Sequence, residues 1–384
     1  MKMRRVVTAV CPILFTLEAV PAWSQTLSIS PREARTFVDS IRAALSLPGL
    51  VVIVARSEGA PEIIVTGVRK FGTADSIQST DRMHLGSNGK AITATMIGVL
   101  VEQGRLTFGT TLAEALPDLA PAMRAEYRQA TIRQLLGHSA GIRPYTDLDE
   151  FGSFMRPTGD SVAQRKAFAA RVLSEKPLFA PATTHTYSNA GVALAGVVAE
   201  RITGQSYEKL VDSLVFRPLG GRAQFGNPGT DTVPQPFGHT RRRGNEARIV
   251  DPRDADYVVP PAIVAAGDVS VTLTDYAKFL QMHLRGLRGV DGILKATTIR
   301  DLHTAIAPVD SGTKYGAGWG VGITRDGFET HGHSGSGGAY IAIAAIQPAR
   351  DFAVAILTNM GGDNDVLPEV AKLRPIVTQR LAPR

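Results

Sequence analysis

The sequence predicts an α+β fold, an α/β sandwich in which one antiparallel sheet flanked by helices is built from both ends of the chain, with a mostly helical subdomain inserted between. Three observations lead there. Near the N-terminal end, residues 50–55 and 63–68 are apolar, β-branched runs, and the segment between them holds Gly59 and Pro61, the pattern of a hairpin. Near the C-terminal end, residues 319–324, 328–333, 339–347 and 352–359 read as strands separated by glycine and charged turns, the pattern of an antiparallel meander. From Thr107 to about Pro260 the pattern is helical with long polar loops. One domain is therefore expected over 25–384, with its sheet region at about 25–85 and 262–384 and its helical region at about 86–261.

Residues 1–24 carry a positive start (Lys2, Arg4, Arg5), an apolar core over 6–17 that is too short to cross a bilayer, and small residues at Ala22 and Ser24. That is the pattern of a signal peptide cleaved near Ser24, and it predicts a periplasmic or secreted protein. Cys11, the sole cysteine, falls inside it, so the mature chain is expected to have no disulfide, no thiol nucleophile and no thiolate zinc site. Ser30, Pro31 and Glu33 make a capping box with proline at the first helical position, apolar residues from Ala34 to Leu45 follow at helical spacing, and Pro48-Gly49 stops the helix.

After the hairpin, residues 90–101 form an apolar, helix-compatible run with Gly104 just beyond it. Shorter helical patterns cover 131–136, 160–175, 190–202 and 207–216, the last two stopped by Gly204 and Pro218. Residues 221–262 are rich in Gly, Pro and Arg without a period and read as long loops at the rim of a site. A helix begins near Thr274-Asp275 with Gly286 just past its end, and the tail from Asp365 reads as partly helical, interrupted by Pro368 and Pro375.

Composition narrows the function classes. An apolar content of 44% and a charged content of 20% are those of a globular protein with a substantial core. The net charge of +7 suits anionic surroundings such as a cell envelope. The one basic run, Arg241-Arg242-Arg243, lies in a polar stretch without interleaved aromatics and reads as a solvated loop, so no nucleic-acid partner is expected. Nothing in the mature chain is long and apolar enough to span a membrane, no repeat is visible, and a monomer is expected.

The chemistry is carried by Ser87 and Lys90, three residues apart at the start of the apolar helix. Positions i and i+3 share a helix face, so the amine stands beside the hydroxyl. A serine hydroxyl becomes a nucleophile when a neighbouring base takes its proton, and a lysine is that base when burial or nearby positive charge lowers its pKa. The free N–H groups of a helix start suit an oxygen that passes through an oxyanion. Four further stretches stand out: residues 135–142 around His138, Phe179-Ala180-Pro181 leading to Tyr187-Ser188-Asn189, Ala265-Ala266-Gly267-Asp268-Val269-Ser270, and His331 to Gly338 around His333-Ser334-Gly335-Ser336.

Together with Ser87-x-x-Lys90, these motifs resemble the serine β-lactamase and penicillin-recognising family, in its class C β-lactamase, D,D-carboxypeptidase and carboxylesterase branch. The resemblance covers nearly the whole mature chain. It implies the β-lactamase/transpeptidase-like fold and an exported serine hydrolase that cleaves an ester or amide, including a β-lactam or D-amino peptide, through a Ser87 acyl-enzyme. Lys90 and Tyr187 are the implied proton-transfer groups, Tyr187 as a phenol whose pKa nearby cations lower. Asn189, His333, Ser334, Gly335 and Ser336 are the implied substrate-binding residues, with the backbone N–H groups of Ser87 and Ser336 as the oxyanion hole.

The substrate is expected to be a small molecule or short peptide, and no cofactor or metal is expected, since His331-x-His333 has no third ligand spaced nearby. Where many members carry Lys-Thr-Gly, this chain has His333-Ser334-Gly335, and a neutral imidazole binds a carboxylate less strongly than an ammonium. Ala182 stands where a glycine is common in the family. The enzymatic alternatives are a D,D-carboxypeptidase or D-aminopeptidase and a class C-type β-lactamase. The alternative of another class is a catalytically idle protein that binds peptidoglycan or another ligand in the same cleft.

Overall fold

The structure is a computed structural model that describes residues 27–155, 159–241, 246–308, 314–362 and 366–382. The expected signal segment with Cys11, and Arg242 and Arg243 of the basic run, lie outside those residues. The described Arg241 is ion-paired with Glu369 at 2.6 Å.

One antiparallel sheet of eight strands runs in the order Glu62–Gly67, Gly49–Ala55, Phe352–Thr358, Ile341–Gln347, Glu329–Ser336, Gly320–Ile323, Lys314–Tyr315 and Ala307–Pro308. The two ends of the chain meet inside it, where Ile53 pairs with Ile63 on one side and Ala355 on the other. Three adjacent strands of this sheet, GLVVIVA, FAVAILT and IAIAAIQ, are buried along their whole length. A strand covered on both faces is a continuous apolar run rather than an alternating one, which explains their composition. Alternate side chains then serve two cores. Val51, Ile53, Ala355 and Leu357 face the helical region, and Leu50, Val52, Val354 and Ile356 face the helices Pro31–Ala44 and Val366–Leu381.

The helix Pro31–Ala44 is capped reciprocally by Ser30 and Glu33, as its sequence predicts. The C-terminal helix differs from the expectation of an interrupted one. It runs unbroken for 16 residues, Val366–Leu381, with Pro375 inside. Pro368 falls in the first turn, where a missing N–H costs nothing, and Val370, Leu373, Val377 and Leu381 pack against the sheet strongly enough to carry the helix through Pro375. The helix expected near Thr274 is Leu273–Leu287, capped by Thr272 and extending past Gly286, which packs against Ile299 of a further helix, Ala296–His303, that the sequence pattern did not reveal. The 221–262 stretch also contains short strands. Gln224–Phe225 joins Val269–Thr272 and Arg82–His84 in one small sheet, and His239–Arg241 joins Ala247–Ile249 and Met360–Gly361 in another.

At the centre of the helical region lies the helix Gly89–Glu102, buried without a break from Gly89 to Leu100. A helix that is apolar all round belongs in an interior. It is fed by the strand Arg82–His84 and a single 3₁₀ turn, Gly86–Asn88, and it packs against the equally buried helix Asn189–Thr203, whose start Ser188 caps.

Candidate active site

The 3₁₀ turn places Ser87 at the mouth of the central helix, and the first turn of that helix holds Lys90. Lys90 Nζ lies 2.9 Å from Ser87 Oγ, 2.8 Å from Asn189 Oδ1 and 2.7 Å from the carbonyl oxygen of Ala266. Lys90 is fully buried, and desolvation pushes its amine well below the usual lysine range. Among the described residues no carboxylate pairs with it.

The two oxygens that belong to Asn189 and Ala266 only accept hydrogen bonds. The Asn189 orientation follows from its other end, where Nδ2 donates to the carbonyl oxygen of Tyr145 at 2.9 Å. A neutral amine spends its two N–H groups on these acceptors, and its lone pair is left for the Ser87 hydroxyl.

Tyr187 stands over the pair. Lys90 Nζ sits 4.6 Å from the centre of its ring, and its hydroxyl hydrogen-bonds Ser87. The expectation of a lowered phenol pKa is overturned here. Burial pushes the Tyr187 phenol up, against the weaker pull of the Ser87 bond. Tyr187 is therefore a neutral phenol rather than a resident phenolate.

The opposite wall is the strand Glu329–Ser336. Its neighbour Gly320–Ile323 pairs only as far as Gly332, so residues 333–336 project beyond it. The turn that follows has the Gly337 N–H donating to the Tyr340 carbonyl at 2.9 Å. In an antiparallel ladder the N–H groups alternate in direction, so those of Ser334 and Ser336 point off this ladder to the open side. Backbone meets backbone at this point. A methyl group built on Gly335 would lie 2.8 Å from the Ser87 nitrogen, and one built on Gly86, which has φ +51°, would lie 2.4 Å from the Ser336 carbonyl carbon. Only glycine permits that approach.

His333 is held by Tyr315. Its Nδ1 faces the Ser334 carbonyl at 2.8 Å and its Nε2 faces the Tyr315 hydroxyl at 2.9 Å. The carbonyl accepts, so Nδ1 carries the proton and the phenol donates to Nε2. Desolvation, with a smaller contribution from Lys90, lowers His333 to about 3, so it is a neutral ring. Ser334 contributes its carbonyl to this contact, and both Ser334 and Ser336 are exposed.

All eight residues singled out from the sequence thus converge on one cleft. Three contributors were missed: the Ala266 carbonyl, the Tyr145 carbonyl and the Tyr315 hydroxyl. Two of these are backbone atoms, which no residue type announces, although Ala266 lies in a stretch already singled out. Tyr145 has φ +49° and Ala182 φ +70°, so the loops that shape the site are held in the left-handed region at some cost. His138, also at positive φ, accepts the Ser188 N–H at 3.2 Å and braces the cap of the Asn189 helix. Among the described residues, no group of three or more metal-ligating side chains converges and no helix is long and apolar enough to cross a membrane.

Residues 34–377 match the Beta-lactamase family. Penicillin-binding protein 4 of Amycolatopsis lactamdurans is 27% identical over 348 residues, covering 84% of this chain and 84% of that protein. Esterase EstB of Burkholderia gladioli is 28% identical over 403 residues, covering 96% of this chain and 98% of that protein. Among solved structures, the octameric penicillin-binding protein homologue from Pyrococcus abyssi superposes with a TM-score of 0.75 at 22% identity, over 92% of this chain and 79% of that one. The D-amino acid amidase from Ochrobactrum anthropi SV3 superposes with a TM-score of 0.72 at 20% identity, over 91% of this chain and 98% of that one. At those identities the two structures speak for the β-lactamase/transpeptidase-like fold. The family match, which takes in both the Ser87 turn and the His333 strand, shows that the chain belongs to the beta-lactamase family as a serine hydrolase.

Proposed function

We propose that this protein is an exported, monomeric hydrolase of esters or amides in which Ser87 is the nucleophile, Lys90 its base and Tyr187 the proton relay. The observation that carries the reading is the set of three oxygens around Lys90 Nζ, two of which can only accept. That arrangement leaves the amine lone pair to the Ser87 proton as Oγ attacks a carbonyl carbon. The tetrahedral oxygen collects its negative charge beside the N–H groups of Ser87 and Ser336, which lie on the two backbone segments packed together at Gly86 and Gly335. The neutral Tyr187 phenol passes the proton to the leaving oxygen or nitrogen, giving an acyl-enzyme that water then hydrolyses.

The neutral His333 supports acyl groups that do not depend on a free carboxylate, and so favours esters and uncharged amides over substrates anchored by one. Esterase EstB and the D-amino acid amidase bracket that class by their names. Export is supported by the signal pattern of residues 1–24.

The test is the time course of hydrolysis of a short-chain activated aryl ester by the mature protein, with Ser87→Ala beside it. Steady turnover that vanishes in the variant is expected, and a panel of esters, D-amino amides and cephalosporins then sets the leaving group. Equal turnover in the variant removes Ser87 from the reaction, and absence of turnover with retained ligand affinity moves the protein to a binding role. The mass of the secreted chain checks cleavage near Ser24, and its sedimentation checks the monomer.

A further inference from the structure

We propose that His84 and Asp268 form a positioning pair that sets the spacing of the oxyanion pocket, an inference that rests on the Ser87 reading above. His84 ends the strand that leads into the nucleophile turn and is 3% exposed. The Gly86 N–H donates to its Nδ1 at 3.1 Å. A backbone N–H only donates, so Nδ1 carries the lone pair and the ring proton sits on Nε2. That Nε2–H faces Asp268 Oδ1 at 3.1 Å. Asp268 therefore selects the one neutral tautomer that can accept from Gly86.

Both halves of the oxyanion pocket press on this imidazole. Gly86 precedes Ser87, whose N–H is one donor. Gly337 follows Ser336, whose N–H is the other, and a methyl group built on Gly337 would lie 1.9 Å from His84 Nδ1. The segment carrying Asp268 touches the same point, since a methyl group on Gly267 would lie 3.2 Å from the Ser87 nitrogen. The far face of the ring is backed by Tyr340, stacked with centroids 6.2 Å apart, and the Tyr340 hydroxyl is anchored on Asn227 and the Pro236 carbonyl. One side chain thus spaces two donor segments that lie far apart in sequence. Donors aimed at a developing oxyanion act in the transition state, so a small displacement is felt in turnover before it is felt in substrate binding.

The experiment compares His84→Ala, His84→Asn, Asp268→Ala and Asp268→Asn in the full chain. It reads kcat and KM on the aryl ester, together with the affinity for phenylboronic acid, which forms a tetrahedral adduct with a nucleophilic serine. His84→Ala is expected to lower kcat by about 10²-fold with KM nearly unchanged, and to weaken the boronate by a similar factor. His84→Asn, whose Oδ1 stands in for Nδ1, recovers about tenfold of that loss, and Asp268→Asn, which still accepts from Nε2, loses less than Asp268→Ala.

A rise in KM with kcat intact, or equal kcat in His84→Asn and His84→Ala, overturns the proposal. If His84→Ala does not fold, the His84→Asn and Asp268 variants decide it, because a merely structural role predicts lowered stability without a selective loss of boronate affinity. Wild-type protein without Ser87-dependent turnover or boronate binding overturns the parent reading instead, an outcome visible before any variant is compared.

Discussion

Arg165 and Lys90 are both buried basic side chains of the helical region, and the protein treats them in opposite ways. Arg165 is clamped by two carboxylates, Glu200 and Glu208, and Glu200 also accepts the Tyr207 N–H at 2.8 Å. Desolvation works against its charge, but the bonds to both carboxylates outweigh it and hold the guanidinium above its usual range. Lys90 meets the same desolvation with neutral oxygens alone, and its proton affinity falls. A buried basic group with carboxylates keeps its charge and ties helices together, whereas one without them loses its hold on the proton.

The largest effect expected from breaking this contrast is a double dissociation. Lys90→Met lowers kcat/KM by about 10³-fold, roughly 4 kcal/mol, and leaves stability unchanged or raised, since it removes a desolvated amine. Arg165→Met strands two acids and costs about 3–5 kcal/mol of stability while the rate per folded molecule is kept. Denaturant melts and kinetics on the same samples check both arms, and loss of stability in Lys90→Met together with full activity would erase the distinction.

Buried imidazoles behave like Lys90. His283 is lowered to about 3, and His138 and His303 are lowered well below the usual histidine range, each first by desolvation. Their folded pKa values are depressed, so the unfolded chain binds protons first. Stability is full above the unfolded value of about 6.5 and falls with acid until the folded values are reached, by up to about 1.4 kcal/mol per pH unit for each ring. Denaturant midpoints between pH 8 and pH 5 are expected to drop steeply, and a flat profile would show that these rings take up protons as readily in the folded protein as in the unfolded chain.

Tyr187→Phe sharpens the catalytic half of the contrast. It is expected to cost about 10²-fold in kcat, because on the proposed mechanism only the relay is removed. On the proposed mechanism the acid limb of kcat/KM is the titration of Lys90, whose lowered pKa makes activity present above that value and lost below it. The limb therefore persists in Tyr187→Phe, and its disappearance would reassign the base to Tyr187.

The smallest effect is at Ala182, which has φ +70° and donates its N–H to the Ser139 carbonyl at 2.7 Å. Ala182→Gly relieves the left-handed strain and is expected to gain about 0.5–1 kcal/mol, read as a rise in the denaturant midpoint with kinetics unchanged.

The hairpin, the meander, the Ser30 cap and the Ser87-to-Lys90 spacing were legible because each is a local rule. Side-chain period, capping chemistry and helix pitch act within a few residues and leave their mark on the chain itself. The helix Ala296–His303, the short strands within 221–262 and the unbroken C-terminal helix were not legible, because packing partners distant in sequence stabilise them against their own weak propensities.

At the site, the residue types proposed for the chemistry were visible one by one, but their protonation was not. In the sequence alone, Ser87, Lys90, Tyr187 and the His333 strand were legible as motifs that resemble one family, on a sheet built from both ends. Tertiary structure decided that Lys90 is stripped of water without a carboxylate, that Tyr187 is raised rather than lowered, and that carbonyls from Tyr145 and Ala266 aim the amine at Ser87. The reason is physical: a pKa and a lone-pair direction depend on everything within a few ångströms, and most of what surrounds Lys90 comes from segments more than 50 residues away in the chain.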